Sequence, residues 1–294
     1  MRLSKRSTRL LRIGIGIGLA FIYIPLIVVG IYAFNASAIL EWPPPGLTLD
    51  WFPKAIENEA AREAFVTSIK AGLAATAIAI VLGTLASLAV ARYRFFGRET
   101  ISFLVILPIA LPGIVTGVAF SNTFTQVLGI DLSLFTVIVG HATFCIVVVY
   151  NNVLARLRRT PTSLMEASMD LGADGWQTFR LVTLPVIATA LVAGGLLAFA
   201  LSFDEIVVTI FTAGAQNTLP LWIFGAIRLG QQLPEVNVVV GFVLLLTVIP
   251  VSVAARLTGG GGVTRASAVS GPTRRERRAA LDVPESAEFE PAGL

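Results

Sequence analysis

Long apolar runs separated by short polar segments dominate the chain from residue 10 to residue 256. A run of about 20 apolar residues is long enough to cross the hydrocarbon core of a bilayer as an α-helix. The pattern predicts six such helices, at residues 10–34, 64–90, 101–125, 134–155, 186–212 and 236–256. The predicted fold class is therefore an all-α membrane protein with six transmembrane helices.

Composition and charge agree with this reading and give it an orientation. The chain is 55% hydrophobic and only 14% charged, whereas soluble domains carry about a quarter charged residues. If both termini are cytoplasmic, eighteen of the 22 Lys and Arg residues lie on inner segments and three on outer ones. Because basic loops stay on the cytoplasmic side, we expect this topology. The net charge of +4 then reflects sidedness and gives no argument for a nucleic-acid partner.

Several kinds of chemistry are disfavoured by what the sequence contains. A single Cys and a single His do not form a zinc, disulfide or His-based catalytic set, and Cys145 and His141 lie in an apolar run where we expect packing roles. The phosphate-binding pattern G-x-x-x-x-G-K-[ST] does not occur. We therefore predict a chain without catalytic residues, metal site or bound cofactor.

The carboxyl-terminal segment differs from the rest in composition. Four glycines at 259–262 are followed by Ser, Pro and mixed charges, which cannot bury a core. The sequence predicts a transmembrane domain at 1–257 and a disordered cytoplasmic tail at 258–294. The basic run at 274–278 is expected at most to contact anionic membrane lipid.

The inner loop at 156–185 is polar and contains helix signals. Thr160 is predicted to cap a helix that begins at Pro161, and Gly172 to end it in a left-handed conformation. Asp174 and Gln177 are spaced as a capping box for a second helix, and Pro185 is expected to mark the entry to the fifth span.

The first of these two helices has a narrow face of small and apolar residues. Glu166 and Asp170 project elsewhere, and the face itself consists of Leu164, Ala167, Ser168 and Leu171. A helix of about eleven residues is marginal in water unless this face is buried. A membrane-surface helix is an alternative, but its polar face should be basic, and here it is acidic. Docking into a soluble protein therefore fits better.

At this point the residues resemble a known family. Glu166-Ala167-Ser168, Gly172 and Val182-x-Leu184-Pro185 are similar to the E-A-A-x3-G-x9-I-x-L-P loop of the membrane subunits of bacterial ABC importers, with Ser for the second Ala and Val for Ile. Further stretches at 93–99, 140–149, 201–214 and 233–240 resemble the second permease of spermidine/putrescine-type importers. The resemblance covers about residues 10–257.

The resemblance implies a type I ABC importer permease fold in the bacterial cytoplasmic (inner) membrane. In that family the loop is a coupling helix that seats on an ATPase subunit, so the expected coupling residues are Glu166, Ala167, Ser168, Asp170, Gly172, Leu184 and Pro185. The implied partners are an ATP-binding subunit dimer that holds ATP and Mg²⁺, a second permease subunit and an extracytoplasmic substrate-binding protein. The implied function is ATP-driven uptake of polyamines.

Candidate residues for the substrate path lie in the outer half of the fifth span. Asp204 and Glu205 are carboxylates in an otherwise apolar segment, where ionisable groups usually face a cavity or a partner. Asp204 could line the path of a cation, or Ser202 and Glu205 could cap a restarted helix. Trp222 in the next segment could contact an amine through its ring, or anchor the chain at the membrane interface.

Other functions stay open on the sequence alone. The solute could be another organic amine or an aminophosphonate. A secondary transporter working alone is a different class, disfavoured because no internal repeat is visible. A membrane enzyme is disfavoured because no nucleophile–base set is visible.

Overall fold

The computed structural model describes residues 4–39, 41–230 and 233–259. Within these residues the regular structure is helical, apart from one antiparallel bridge between Asn35 and Leu47. The α-helices of this part of the chain are α1 (Lys5–Tyr32), α2 (Trp51–Glu57), α3 (Glu59–Arg92), α4 (Arg98–Ala110), α5 (Gly113–Asn122), α6 (Leu134–Arg158), α7 (Ser163–Asp170), α8 (Gly175–Thr178), α9 (Leu184–Asp204), α10 (Val207–Thr212), α11 (Leu219–Leu229) and α12 (Leu233–Gly259). The all-α prediction is confirmed.

Helices α3, α6 and α9 pack on one another and form the core. Its buried members are mainly small or β-branched, among them Ala75, Ala79, Cys145, Val149, Val153, Ile187 and Ala198. Small residues let helix backbones approach closely: a Cβ at Gly83 of α3 would lie 2.9 Å from the Ile146 carbonyl oxygen of α6. Helix α9 approaches α6 in the same way, since a Cβ at Gly194 would lie 3.3 Å from Val149 Cα.

Four described helical runs are long and apolar enough to cross a membrane. They are Arg6–Tyr32, Glu59–Arg92, Leu134–Arg158 and Gly175–Asp204. The first buries none of its apolar window inside the described structure, whereas the window in Leu134–Arg158 is 56% buried. The exact count of six spans and the cytoplasmic position of both termini stay predictions.

The third predicted span, 101–125, is not one continuous helix. Helices α4 and α5 meet at an angle of 103°. Leu111 between them is extended, with φ −83° and ψ 143°, because the ring of Pro112 disfavours the helical conformation of the preceding residue. The pair is therefore a broken span or a re-entrant segment, and the prediction of an unbroken helix here is wrong.

The fifth predicted span, 186–212, is also interrupted. Helix α9 ends at Asp204, Glu205 is extended with ψ 114°, and α10 restarts at Val207. Beyond it, α11 is a shorter apolar helix of 11 residues. The tail predicted at 258–294 lies outside the described residues, apart from its first two positions, which belong to α12.

Candidate functional site: the inner loop and the broken fifth span

The first helix of the inner loop begins later than predicted. The Thr160 hydroxyl donates to the Arg156 carbonyl oxygen at 3.0 Å, so Thr160 completes the last turn of α6. The residue before the first turn of the following helix is Thr162, not Thr160. Helix α7 begins at Ser163 and has 8 residues, and the predicted cap at Thr160 is wrong.

The end of α7 is as predicted. Gly172 has φ +87°, the left-handed conformation in which a Cβ is unfavourable. Its N–H donates to the Met169 carbonyl at 2.9 Å, and the Ala173 N–H donates to the Ser168 carbonyl at 3.1 Å. These two bonds are the pair that defines a Schellman motif, so the helix end is closed by backbone geometry that requires glycine.

The capping box that follows is confirmed. The Gln177 N–H donates to Asp174 Oδ1 at 2.8 Å, and the Asp174 N–H donates to Gln177 Oε1 at 2.9 Å. Asp174 thereby starts α8 after a turn of a few residues. The tight turn orients α7 and α8 as a helical hairpin.

Helix α8 does not stop before the fifth span. The π-helical turn Phe179–Thr183 joins it to α9, so Gly175–Asp204 is one helical run of 30 residues. Pro185 lies in the first turn of α9, as predicted for the entry to the fifth span, and the helical run continues through this entry from α8. A π turn widens the helix by one residue, which accommodates a proline that lacks the N–H for a regular helical bond. The inner loop is therefore physically continuous with the fifth span.

Side-chain bonds tie this loop to the helix bundle. The Arg92 guanidinium of α3 donates to the Thr183 hydroxyl, and Arg156 Nε of α6 donates to the Val186 carbonyl at 2.9 Å. Met165 of α7 packs against the core cluster. The Ser168 hydroxyl lies 3.0 Å from that of Thr178, which is 3% exposed, and joins α7 to α8.

The remaining predicted coupling residues are exposed on the surface of the hairpin or at the start of α9. Glu166, Ala167 and Asp170 are exposed, and Leu184 and Pro185 lie further along at the start of α9. Apolar side chains accompany them at the surface: Leu164, Met169, Leu171, Trp176 and Leu181. Leu171 is 90% exposed and Trp176 67% exposed. Exposed apolar groups of this size beside free carboxylates are typical of a protein-docking surface.

The two carboxylates at the break in the fifth span have different surroundings. Glu205 Oε1 accepts the Val208 N–H at 2.9 Å, so Glu205 caps α10. Ser202, the other half of the predicted capping pair, is buried and faces His141 instead. Asp204 is exposed at the end of α9, and no hydrogen bond or ion pair to it occurs among the described residues. Of the pair, Asp204 is the carboxylate left open to a ligand.

Trp222 lies on α11 and is half-buried. Helix α11 packs mainly against α3 and touches α9, but within the described part of the chain no hydrogen bond joins Trp222 to Asp204 or Glu205. The structure therefore brings Asp204 and Glu205 together and leaves Trp222 on a separate helix.

His141 and Cys145 are fully buried in α6, as the apolar run around them predicted. Their polar atoms nevertheless have partners: His141 bonds to Ser202 and Thr209, and the Cys145 thiol donates to the Ala198 carbonyl at 3.2 Å. Sequence reasoning missed this network. Two sequence features could have pointed to it. One is a histidine, His141, on an otherwise apolar helix, and the other is the presence of hydroxyl residues, Ser202 and Thr209, on either side of the carboxylate pair.

These features define a membrane protein of several apolar helices with a structured, exposed loop at 156–185, and comparison with known proteins gives its family. Residues 79–258 match the model of the family described as binding-protein-dependent transport system inner membrane component, and the chain belongs to this family. It is accordingly a multi-pass inner-membrane permease of a bacterial ABC importer.

Curated relatives cover most of the chain. The putrescine transport system permease protein PotI of Escherichia coli (strain K12) is 32% identical over 236 residues, which is 78% of this chain and 83% of PotI. The spermidine/putrescine transport system permease protein PotC of Haemophilus influenzae is 31% identical over 241 residues, 81% of this chain and 92% of PotC. The putative 2-aminoethylphosphonate permease PhnV of Salmonella paratyphi A is 29% identical over 239 residues, 78% of this chain and 88% of PhnV.

Solved structures share the fold at lower identity. A bacterial alginate ABC transporter in complex with an alginate pentasaccharide-bound periplasmic protein has a TM-score of 0.68 at 16% identity, covering 85% of this chain and 92% of that chain. The MetNI methionine ABC transporter has a TM-score of 0.56 at 19% identity, covering 72% of this chain and 97% of that chain. Both are ABC transporters, and the likeness agrees with the type I permease fold.

Proposed function

We propose that this chain is one permease subunit of an ATP-driven polyamine importer. Its energy comes from a dimer of ATP-binding subunits that bind ATP and Mg²⁺, and its solute from an extracytoplasmic binding protein. A second permease subunit completes the translocation path. The permeases named for putrescine and spermidine, about a third identical over most of the chain, support the solute class.

The observation that carries the proposal is the continuity of the inner hairpin with the fifth span. A partner that moves α7 pulls on α8 through the Ser168–Thr178 contact and the Gly172 turn. Because α8 and α9 are one helical run, the displacement reaches Asp204 without passing a flexible joint. The exposed carboxylate Glu166 and its apolar neighbours are the surface on which the ATPase pushes.

The solute class follows from the charge at the far end of this run. An exposed carboxylate at Asp204, in an apolar segment, suits a cationic amine. A second candidate solute is an aminophosphonate, favoured by the 29% identity to PhnV. Both solutes carry an ammonium group that Asp204 would accept.

The test uses the complete importer reconstituted in proteoliposomes. Glu166→Lys and Gly172→Asp should leave the subunit in the membrane but abolish uptake that depends on ATP, because one changes the docking charge and the other the turn. Calorimetry of the binding protein with putrescine, spermidine and 2-aminoethylphosphonate identifies the solute. Unchanged uptake in both variants would overturn the coupling role, and binding of the phosphonate alone would replace the polyamine assignment.

A further inference from the structure

One imidazole joins the two halves of the broken fifth span. His141 of α6 is 0% exposed. Its Nδ1 lies 2.8 Å from Ser202 Oγ on α9, and its Nε2 lies 2.9 Å from Thr209 Oγ1 on α10. Two helix segments that are separated by the extended Glu205 are thus held by a single side chain of a third helix.

The direction of each hydrogen bond follows from the partners. Thr209 Oγ1 lies 2.6 Å from the Glu205 backbone oxygen, which only accepts, so the one hydroxyl hydrogen of Thr209 points to that carbonyl. Thr209 must then accept from Nε2–H of His141. A neutral imidazole has one N–H, so Nδ1 accepts from the Ser202 hydroxyl. We call the chain Ser202–His141–Thr209–Glu205 the histidine relay.

The relay fixes the backbone on both sides of Asp204. A helix break leaves carbonyls and N–H groups without helical partners, and at membrane depth each of these must find another. The Glu205 carbonyl accepts the Thr209 hydroxyl, and the Glu205 carboxylate accepts the Val208 N–H. Ser202, two residues before Asp204, is hydrogen-bonded to His141. The flanking backbone is therefore held in place while the Asp204 side chain stays exposed.

Packing around α10 reinforces this arrangement. A Cβ at Gly140, next to His141, would lie 3.2 Å from Val208 Cγ1, so α6 and α10 are in direct contact at the relay. One turn further along α10, a Cβ at Gly117 of α5 would lie 2.6 Å from Phe211. Helix α10 therefore packs against both α5 and α6. The relay joins its first turn to the end of α9, and at its other end Thr136 Oγ1 of α6 lies 2.7 Å from the Thr212 carbonyl oxygen.

We infer that His141 is a positioning residue: through the histidine relay it directs the Asp204 carboxylate toward the transported cation. The inference rests on the proposed function, in which Asp204 lines the substrate path. His141 itself is buried and touches no solute. Its effect on transport must therefore pass through Asp204, and this makes it measurable as coupling between the two residues.

A double-mutant cycle tests this coupling in the complete reconstituted importer. Putrescine uptake per ATP hydrolysed is measured for Asp204→Asn, His141→Phe and the double variant. We expect each single change to lower this ratio by about tenfold, the scale of interaction energies between coupled residues, and the double change to be no worse than the more impaired single one. Independent structural damage would instead multiply the two losses.

Companion variants separate positioning from folding. His141→Gln keeps a donor for Thr209 and should recover uptake relative to His141→Phe. Thr209→Val, which removes the relay hydroxyl at similar shape, takes the place of His141→Phe in the cycle if the latter fails to assemble. Thr143→Val is the matched control, because Thr143 is also on α6 but its hydroxyl, among the residues that the structure describes, bonds to the Gly140 carbonyl of the same helix at 2.6 Å. It should change uptake by less than about twofold, as expected for a residue outside the network.

The outcomes separate the assignment of Asp204 to the substrate path from the positioning role of His141. If Asp204→Asn transports as well as the unchanged protein, the assignment of Asp204 to the path is wrong, whatever the His141 variants do. If Asp204→Asn is impaired and the losses multiply in the double variant, the path assignment stands and the positioning role of His141 is overturned. Non-additive losses with recovery in His141→Gln support the inference.

Discussion

The turn at Gly172 gives the sharpest test of how the inner hairpin works. Its φ of +87° costs an L-residue with a side chain about 1–2 kcal/mol relative to glycine. A Cβ added there would meet nothing within 4 Å, so no steric clash adds to this cost. Substitution therefore changes the backbone conformation alone. The expected order of turn stability is Gly, then Asn, then Ala, then Val, because Asn tolerates the left-handed region and a β-branched residue tolerates it least.

A cost of about 1–2 kcal/mol lowers the ratio of native turn to open turn by a factor of roughly 5–30. Hydrogen exchange of the peptide covering 168–173 reads this directly, because the Gly172 and Ala173 N–H groups are the two donors of the Schellman motif. Their protection should fall by that factor in Gly172→Ala and less in Gly172→Asn. Coupled uptake by the reconstituted importer should follow the same order.

Gly175 supplies the matched control. It lies three residues further on, opens α8, and likewise has no atom within 4 Å of an added Cβ, but its φ is not in the left-handed region. Gly175→Ala should leave protection and uptake unchanged or slightly improved, since alanine is the better helix former. Equal behaviour of Gly172→Ala and Gly175→Ala would show that the left-handed turn is not required in the working state, and the reasoning would fail.

Two further variants test contacts on either side of this turn. Ser168→Ala should lower the stability of the subunit by about 0.5–1.5 kcal/mol, measured in a thermal-shift assay, because it removes the bond to the buried Thr178. Adding Thr178→Val should restore part of this loss, because no unpaired hydroxyl is then buried. A double variant less stable than Ser168→Ala alone would contradict this explanation. Gly83→Ala should destabilise the α3–α6 contact by about 1–3 kcal/mol, since its Cβ would lie 2.9 Å from a backbone oxygen. Gly241→Ala, with nothing within 4 Å, is the control, and equal thermal midpoints for the two glycine variants would refute the close-packing argument.

Features set by neighbouring residues were the ones that the sequence predicted well. The glycine stop at 172 and the Asp174–Gln177 capping box depend on a few consecutive residues, and both are present. The apolar runs predicted helices throughout, and the structure has them. Where two local outcomes compete, prediction failed: Thr160 bonds back to α6 rather than forward to α7.

Other features depend on contacts that sequence spacing does not encode. Pro185 marks the start of α9 as predicted, but the π turn Phe179–Thr183 that joins α8 to α9 without a break was not predicted from the sequence. The break at Glu205 is held by His141, which lies more than sixty residues earlier. The bend at Pro112 could have been predicted, because a proline restricts the backbone conformation of the residue before it, here Leu111. The continuous apolar run at 101–125 favoured a single helix instead.

The distribution of exposed apolar surface supports the proposed position of the protein partner. Along α1 the apolar side chains are exposed, and in a membrane helix lipid meets that surface as well as protein does. The hairpin at 163–181 differs, because on the predicted topology it extends into water, where Leu171 and Trp176 have no lipid to cover them. A docked protein would remove that cost. In the proposed function, the hairpin transmits the movement of this partner to the exposed Asp204 carboxylate through the run Gly175–Asp204. The proposal therefore makes docking and solute passage depend on the same helical run, so a change that breaks this run should impair both.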